Sequence, residues 1–185
     1  MSWHDGTGAT VRAFDARTGT LRWETPAGVM GSAPVLAPGT VLFAEGEGVH
    51  AARVRALDLR TGQERWQVPL AGWWDDELEA AVDPTTAYLL DGMGTVVALD
   101  LETGAVRWRR ETGRPLVDGR VVLTPDGVVF ASYDDELLVI DRETGRLRAV
   151  EPQRGVPVDI AAAGDRLVVA LRLGAPSRVE ARPEP

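Results

Sequence analysis

A five-residue pattern, Asp-x-x-Thr-Gly, recurs four times along the chain. The copies are Asp15-Ala16-Arg17-Thr18-Gly19, Asp58-Leu59-Arg60-Thr61-Gly62, Asp100-Leu101-Glu102-Thr103-Gly104 and Asp141-Arg142-Glu143-Thr144-Gly145. Their aspartates, at 15, 58, 100 and 141, lie 43, 42 and 41 residues apart. A period of this length means stacked copies of one supersecondary unit. Each copy follows a short apolar run, such as Val97-Ala98-Leu99, and precedes a second run that carries Trp23, Trp66 or Trp108 four residues after the glycine. The fourth copy has Ala149 at that place. Two apolar runs joined by a tight polar turn read as a β-hairpin, with Asp accepting turn N–H groups and Gly supplying φ > 0. An aspartate at the same point of every hairpin reads as a turn residue and not as a catalytic one.

A second strand pair is predicted between successive hairpins. Its four turns are Ala37-Pro38-Gly39-Thr40, Asp83-Pro84-Thr85-Thr86, Thr124-Pro125-Asp126-Gly127 and Ala162-Ala163-Gly164-Asp165. The unit is therefore four antiparallel strands in about 42 residues, with no convincing helical period, which is an all-β propeller blade. With its Ala-Leu-Asp strand end, Thr-Gly turn and Trp-bearing outer strand, the chain resembles the PQQ-like β-propeller repeat family. That family includes quinoprotein dehydrogenases and the lipoprotein that helps assemble outer-membrane barrels. On this reading Asp15, Gly19, Trp23, Asp58, Gly62, Trp66, Asp100, Gly104, Trp108, Asp141 and Gly145 are structural, and the tryptophans pack blade on blade.

The repeat units are expected at about 10–25, 33–68, 77–110, 118–150 and 156–182, within a single propeller or half-propeller over 1–185. The first holds only an outer hairpin and the last an inner pair, with a further strand expected at Arg178-Val179-Glu180-Ala181. That is about four blades per chain, whereas the resemblance implies rings of seven or eight. Three arrangements fit: a homodimer closing one eight-bladed ring, a piece of a longer propeller, or a closed four-bladed monomer.

Composition removes several chemistries. The chain has 185 residues, no Cys and a formal net charge of -8, and all 20 of its basic residues are Arg. Thiolate, iron–sulfur, Schiff-base and Walker A chemistry lack their residues, and a net acidic field disfavours nucleic acid. His4 and His50 form no metal-spaced pair, so no metal and no cofactor is expected. The resemblance implies a quinone pocket with an adjacent cysteine pair and a calcium site that includes Asn; this sequence has neither residue type. No window reaches the roughly 18 apolar residues of a membrane helix, and the start Met1-Ser2-Trp3-His4-Asp5-Gly6 does not read as a secretory signal. Direct membrane insertion is not expected. The sequence as given reads as cytoplasmic, and as extracytoplasmic if it is an excised domain.

Candidate binding residues lie where the repeats diverge, on the rim formed by inter-blade links and by turns between second and third strands. Trp73, Trp74, Asp75 and Asp76 form an aromatic and acidic segment unlike the rest of the pattern. Glu45, Glu47 and His50 are placed in a longer loop, and Tyr133 and Asp134 add to the same rim. The leading expectation is a non-enzymatic scaffold or sensing module that binds a protein or small ligand by this rim. The alternatives are a carbohydrate- or small-molecule-binding module centred on Trp73 and Trp74, and an enzyme with an unrecognised carboxylate site.

Overall fold

The structure is a computed structural model that describes residues 8–30, 33–47, 50–69, 79–90, 94–114, 121–125, 127–164 and 166–173, with backbone alone at 29–30, 47 and 50–52. Its elements are β1 (Ala9–Phe14), β2 (Leu21–Ala27), β3 (Val29–Met30), β4 (Val35–Ala37), β5 (Thr40–Glu47), β6 (His50–Asp58), β7 (Glu64–Pro69), β8 (Glu79–Val82) and β9 (Thr86–Leu90). They continue with β10 (Thr95–Asp100), β11 (Val106–Glu111), β12 (Val122–Leu123), β13 (Val128–Ser132), β14 (Glu136–Ile140), β15 (Leu147–Pro152), β16 (Val156–Ala163) and β17 (Arg166–Arg172).

Three antiparallel sheets have the blade order. They are β8-β9-β10-β11, β12-β13-β14-β15, and β5-β6-β7 with a broken inner strand, since β3 and β4 both pair with β5. The inner strand of this first sheet thus begins earlier than Ala33. A separate hairpin stands at each end of the stack, β1-β2 and β16-β17. The segment expected at 178–181 lies outside the described residues.

Period-2 alternation buries both faces of the central strands. Leu42 and Ala44 of β5 pack with Ala87 and Leu89 of β9. The opposite face of β9, Tyr88 and Leu90, packs with Val128 and Phe130 of β13. Val129 and Ala131 then meet Ile160 of the last hairpin, while Val41 and Phe43 meet Val11 of the first. The core is therefore a series of layers between sheets, and each sheet is held by its two neighbours.

The Asp-x-x-Thr-Gly turns are built alike. Asp100 Oδ1 accepts N–H bonds from Glu102 and Thr103 (3.1 and 2.9 Å) and the Thr103 hydroxyl (2.9 Å), while Gly104 N–H donates to the Asp100 carbonyl. The same contacts recur at Asp15, Asp58 and Asp141. Beyond each turn the register slips by one residue: Ala98 pairs Trp108 but Leu99 pairs Val106. Arg107 is left as the extra residue of a bulge, and Arg22, Arg65 and Arg148 are its counterparts. A bulge re-aims its extra side chain, and here the guanidinium returns to the motif aspartate. Arg22, Arg65 and Arg107 pair with Asp15, Asp58 and Asp100 at 2.5, 2.8 and 2.7 Å, and Arg148 pairs with Asp141.

The residue after the bulge is the tryptophan, which reaches the next sheet. Trp23, Trp66 and Trp108 donate from Nε1 to the carbonyls of Leu59, Leu101 and Arg142 at 2.9, 3.0 and 2.9 Å. Each ring lies against the turn glycine of that sheet. A Cβ on Gly62, Gly104 or Gly145 would stand 2.6 to 2.7 Å from the ring of the preceding tryptophan. These glycines are required twice, by φ of +72°, +73° and +67° and by the close approach of the indole.

Candidate functional site

The strand register defines two rims. Thr40 pairs Asp58 and Thr86 pairs Asp100, so the Asp-x-x-Thr-Gly turns share a rim with the turns between first and second strands. Glu47 pairs His50 and Ser132 pairs Glu136, so the turns between second and third strands lie at the opposite rim.

The motif rim is engaged with itself. Asp58 and Asp100 are held down to about 2 by hydrogen bonds from Arg65 and Arg107 first, then from Thr61 and Thr103. Asp141 falls to about 2 chiefly through Thr144, and Asp15 is lowered by Arg22 and Thr18. A cleft of about 510 Å³ opens on this rim between the second and third sheets, lined by residues that include Asp83, Tyr88, Arg107, Arg142 and Arg148. Burial pushes the Asp83 carboxyl up. Bonds from Thr85 N–H, Arg142, Tyr88 Oη and Thr86 N–H outweigh that and leave it near 2. Arg142 binds Asp83 at 2.5 Å and lies over the Tyr88 ring, 5.9 Å from its centroid. All three cleft arginines are neutralised by a carboxylate, so the cleft offers an anion no uncompensated charge.

The loop rim carries the sequence candidates, and the structure revises three of them, Glu45, Glu47 and His50, from loop to strand. Glu45 is not in a loop. β5 runs to Glu47 and β6 starts at His50, so the segment is the end of a long hairpin. The Glu45 side chain is buried and accepts from Gly28 N–H (2.8 Å), Arg53 (2.7 Å) and Arg55 (3.1 Å). Burial alone would push its pKa up, and these three donors more than reverse that, so the carboxyl is held below its ordinary value. Arg55 also bonds Glu64 at 2.8 Å and the Pro26 carbonyl at 3.0 Å, and lies over the Phe43 ring. Glu45 is thus an anchor of the hairpin. A free carboxylate for a ligand would sit in water and not in a cage of arginines.

Glu47 and His50 are strand residues paired with each other at the hairpin end. Tyr133 is half exposed and Asp134 is exposed in the β13–β14 turn. That turn places Asp135 at φ 57°, takes Gln153 N–H on the Asp135 carbonyl at 2.7 Å, and is flanked by the Arg114–Glu136 pair at 2.5 Å. Trp73, Trp74, Asp75 and Asp76 lie outside the described residues. Among the described residues no group of three His, Asp or Glu side chains is placed to hold a metal, and no helix is long and apolar enough to cross a membrane.

Two residue sets escaped the sequence reading. The bulge arginines had a signal, since Arg stands three residues after the glycine in every copy. The Asp83–Arg142–Tyr88 lock had none, because its parts occur in one repeat each.

A stack of four-stranded antiparallel sheets with Asp-x-x-Thr-Gly turns and Trp-on-Gly packing defines a PQQ-like β-propeller. A family profile described as outer membrane protein assembly factor BamB matches residues 50–175. The chain belongs to that family. It is similar to the crystal structure of BamB from Moraxella catarrhalis, with a TM-score of 0.68 at 20% identity, covering 88% of this chain and 49% of that one. It is similar to the computationally designed Ika8 protein, with a TM-score of 0.65 at 16% identity, covering 90% and 50%. Quinohemoprotein alcohol dehydrogenase from Comamonas testosteroni gives 0.63 at 17% identity, covering 83% and 33%. The chain spans half or less of the length of each. No curated protein matches it. An assembly factor and an enzyme share this fold, so the fold supports an interaction role in general and does not decide catalysis.

Proposed function

We propose that this chain is a non-enzymatic propeller scaffold that binds a protein partner by its loop rim. The observation that carries the reading is the division of labour between the rims. On the motif rim each repeated aspartate is held by its own turn and its own arginine. The opposite rim projects the β5–β6 hairpin and displays Tyr133 and Asp134, an aromatic and acidic pair of the kind protein interfaces use. Membership of a family described by an outer-membrane assembly factor supports the same reading.

The test is site-specific photocrosslinking in an extract of the source cells. A crosslinker at Tyr133 is expected to give one discrete protein adduct, and a crosslinker at Glu143 on the motif rim none. Adducts from Glu143 alone would overturn the assignment of the rim. Glycan binding lost in a Trp73→Ala and Trp74→Ala double variant would move the reading to a carbohydrate module. Turnover lost on changing Asp75 or Asp76 would move it to an enzyme.

A further inference from the structure

Both ends of the stack are unfinished in complementary ways. By its motif β1-β2 matches β10-β11, the outer half of a blade. By its turn and facing β16-β17 matches β8-β9, the inner half. The two hairpins are separate sheets, and among the described strands β17 does not pair with β1.

The four most exposed large apolar side chains among the described residues, Leu173, Val168, Leu36 and Phe14, fall on these two ends. Phe14 is 56% exposed, whereas its repeat counterparts Leu57, Leu99 and Ile140 are 0 to 1% exposed. Leu36 of β4 is 64% exposed, while its counterparts Val82 and Leu123 pack against the preceding sheet. At the other end Val168 is 67% exposed, and the side chains with the same facing on β9 and β13, Tyr88 and Val129, are 2% exposed. Leu36 faces where an inner pair is missing, Phe14 faces where the sheet before its own hairpin is missing, and Val168 belongs to an inner pair with nothing beyond it among the described residues.

We propose that a second copy of this chain fills both gaps. β17 of each copy pairs antiparallel with β1 of the other, giving two composite four-stranded blades in a closed two-fold ring. The one irregular repeat agrees. In such a ring the sheet facing the Gly19 turn is β12–β15 of the other copy, whose residue at the tryptophan position is Ala149. Among the described residues nothing lies within 4 Å of a Cβ built on Gly19. The joint that lacks the Trp-on-Gly contact is thus the one whose outer half the other chain would complete, and the three joints between motif-bearing sheets within the chain all have it.

The experiment is solution mass by light scattering and sedimentation over a dilution series, on the wild-type chain and three variants. The expected wild-type mass is twice 19.9 kDa. Val168→Arg and Leu36→Arg are expected to raise the dissociation midpoint about tenfold or more, with circular dichroism unchanged. Ala149→Trp places an indole over the Gly19 turn and is expected to lower the midpoint about tenfold. A monomer at every concentration overturns the proposal, as does a ladder of masses beyond the dimer. A dimer indifferent to Val168→Arg and Ala149→Trp uses another surface and overturns it equally. Mass requires no partner protein, so this result is independent of the loop-rim reading.

Discussion

Substituting the four turn glycines by alanine separates backbone conformation from ring contact. Gly19, Gly62, Gly104 and Gly145 have φ of +71°, +72°, +73° and +67°. An alanine at any of them carries the same left-handed cost, about 1 kcal/mol. Their surroundings differ. A Cβ on Gly104 would stand 2.7 Å from Trp66 Cδ2, and one on Gly62 or Gly145 would meet Trp23 or Trp108 as closely. At Gly19 none of the described atoms lies within 4 Å. The ring cannot retreat freely, because its Nε1 is bonded to the carbonyl of the same turn. Overpacking of this kind adds about 1–3 kcal/mol. Gly19→Ala should therefore lose about 1 kcal/mol and Gly104→Ala about 2–4 kcal/mol. With a urea dependence near 2 kcal/mol per M, the two midpoints should differ by about 1 M. Urea unfolding at one fixed protein concentration, followed by tryptophan fluorescence, measures this directly. Equal losses at Gly19 and Gly104 would refute the argument, since the glycines would then be required by φ alone.

Trp66→Ala should cost about 3–5 kcal/mol in the same assay, because a buried ring is removed and the Leu101 carbonyl loses its donor. Trp66→Phe should recover most of that loss, leaving about 1 kcal/mol for the hydrogen bond. Asp58, Asp83, Asp100 and Asp141 are held near 2 in the fold against an ordinary 3.8. A depressed carboxylate contributes its stability above the unfolded value and loses it as pH falls. Thermal stability should therefore drop between about pH 4 and pH 2, with a shallower drop in Asp100→Asn. Arg142→Met leaves Asp83 largely buried without its guanidinium and should cost about 1–3 kcal/mol. Adding Asp83→Asn should return part of that loss, and a double-mutant cycle measures the coupling.

The fold was legible because its chemistry is local and repeated. Asp, Thr and Gly at fixed spacing encode a turn whether or not the rest of the blade is known, and four copies at one period encode the stack. The bulge that turns Arg107 back to Asp100 shows in sequence only as a fixed interval. A register slip is a property of two strands and not of one. Glu45 was misplaced for a related reason. The Glu-Gly-Glu-Gly run has the composition of a loop, but Gly28, Arg53 and Arg55 come from three other points of the chain to satisfy its carboxylate. Backbone pairing of Glu45 with Arg53 on one side and Met30 on the other makes the position a strand. Pairwise chemistry that occurs once leaves no periodic trace, so neither the Glu45 cage nor the Asp83–Arg142 lock, whose partners are 59 residues apart, shows in the sequence.

The repeat also explains why the two rims differ in their freedom to vary. A change in a motif turn disturbs three things together: the turn, the arginine of the bulge and the indole of the preceding sheet. A change between the second and third strands disturbs none of them. β5 runs eight residues where β9 and β13 run five, yet all three keep the same register at the motif end. The extra length projects wholly to the loop rim, and its cost is met locally by Glu45, which ties the extension back to Gly28 beside β2. Residues beyond Glu45 on this hairpin can therefore vary without loosening a blade joint. Val168→Arg and Tyr133→Ala should in consequence act on different observables, the first on assembly mass and the second on partner capture, with neither altering the other.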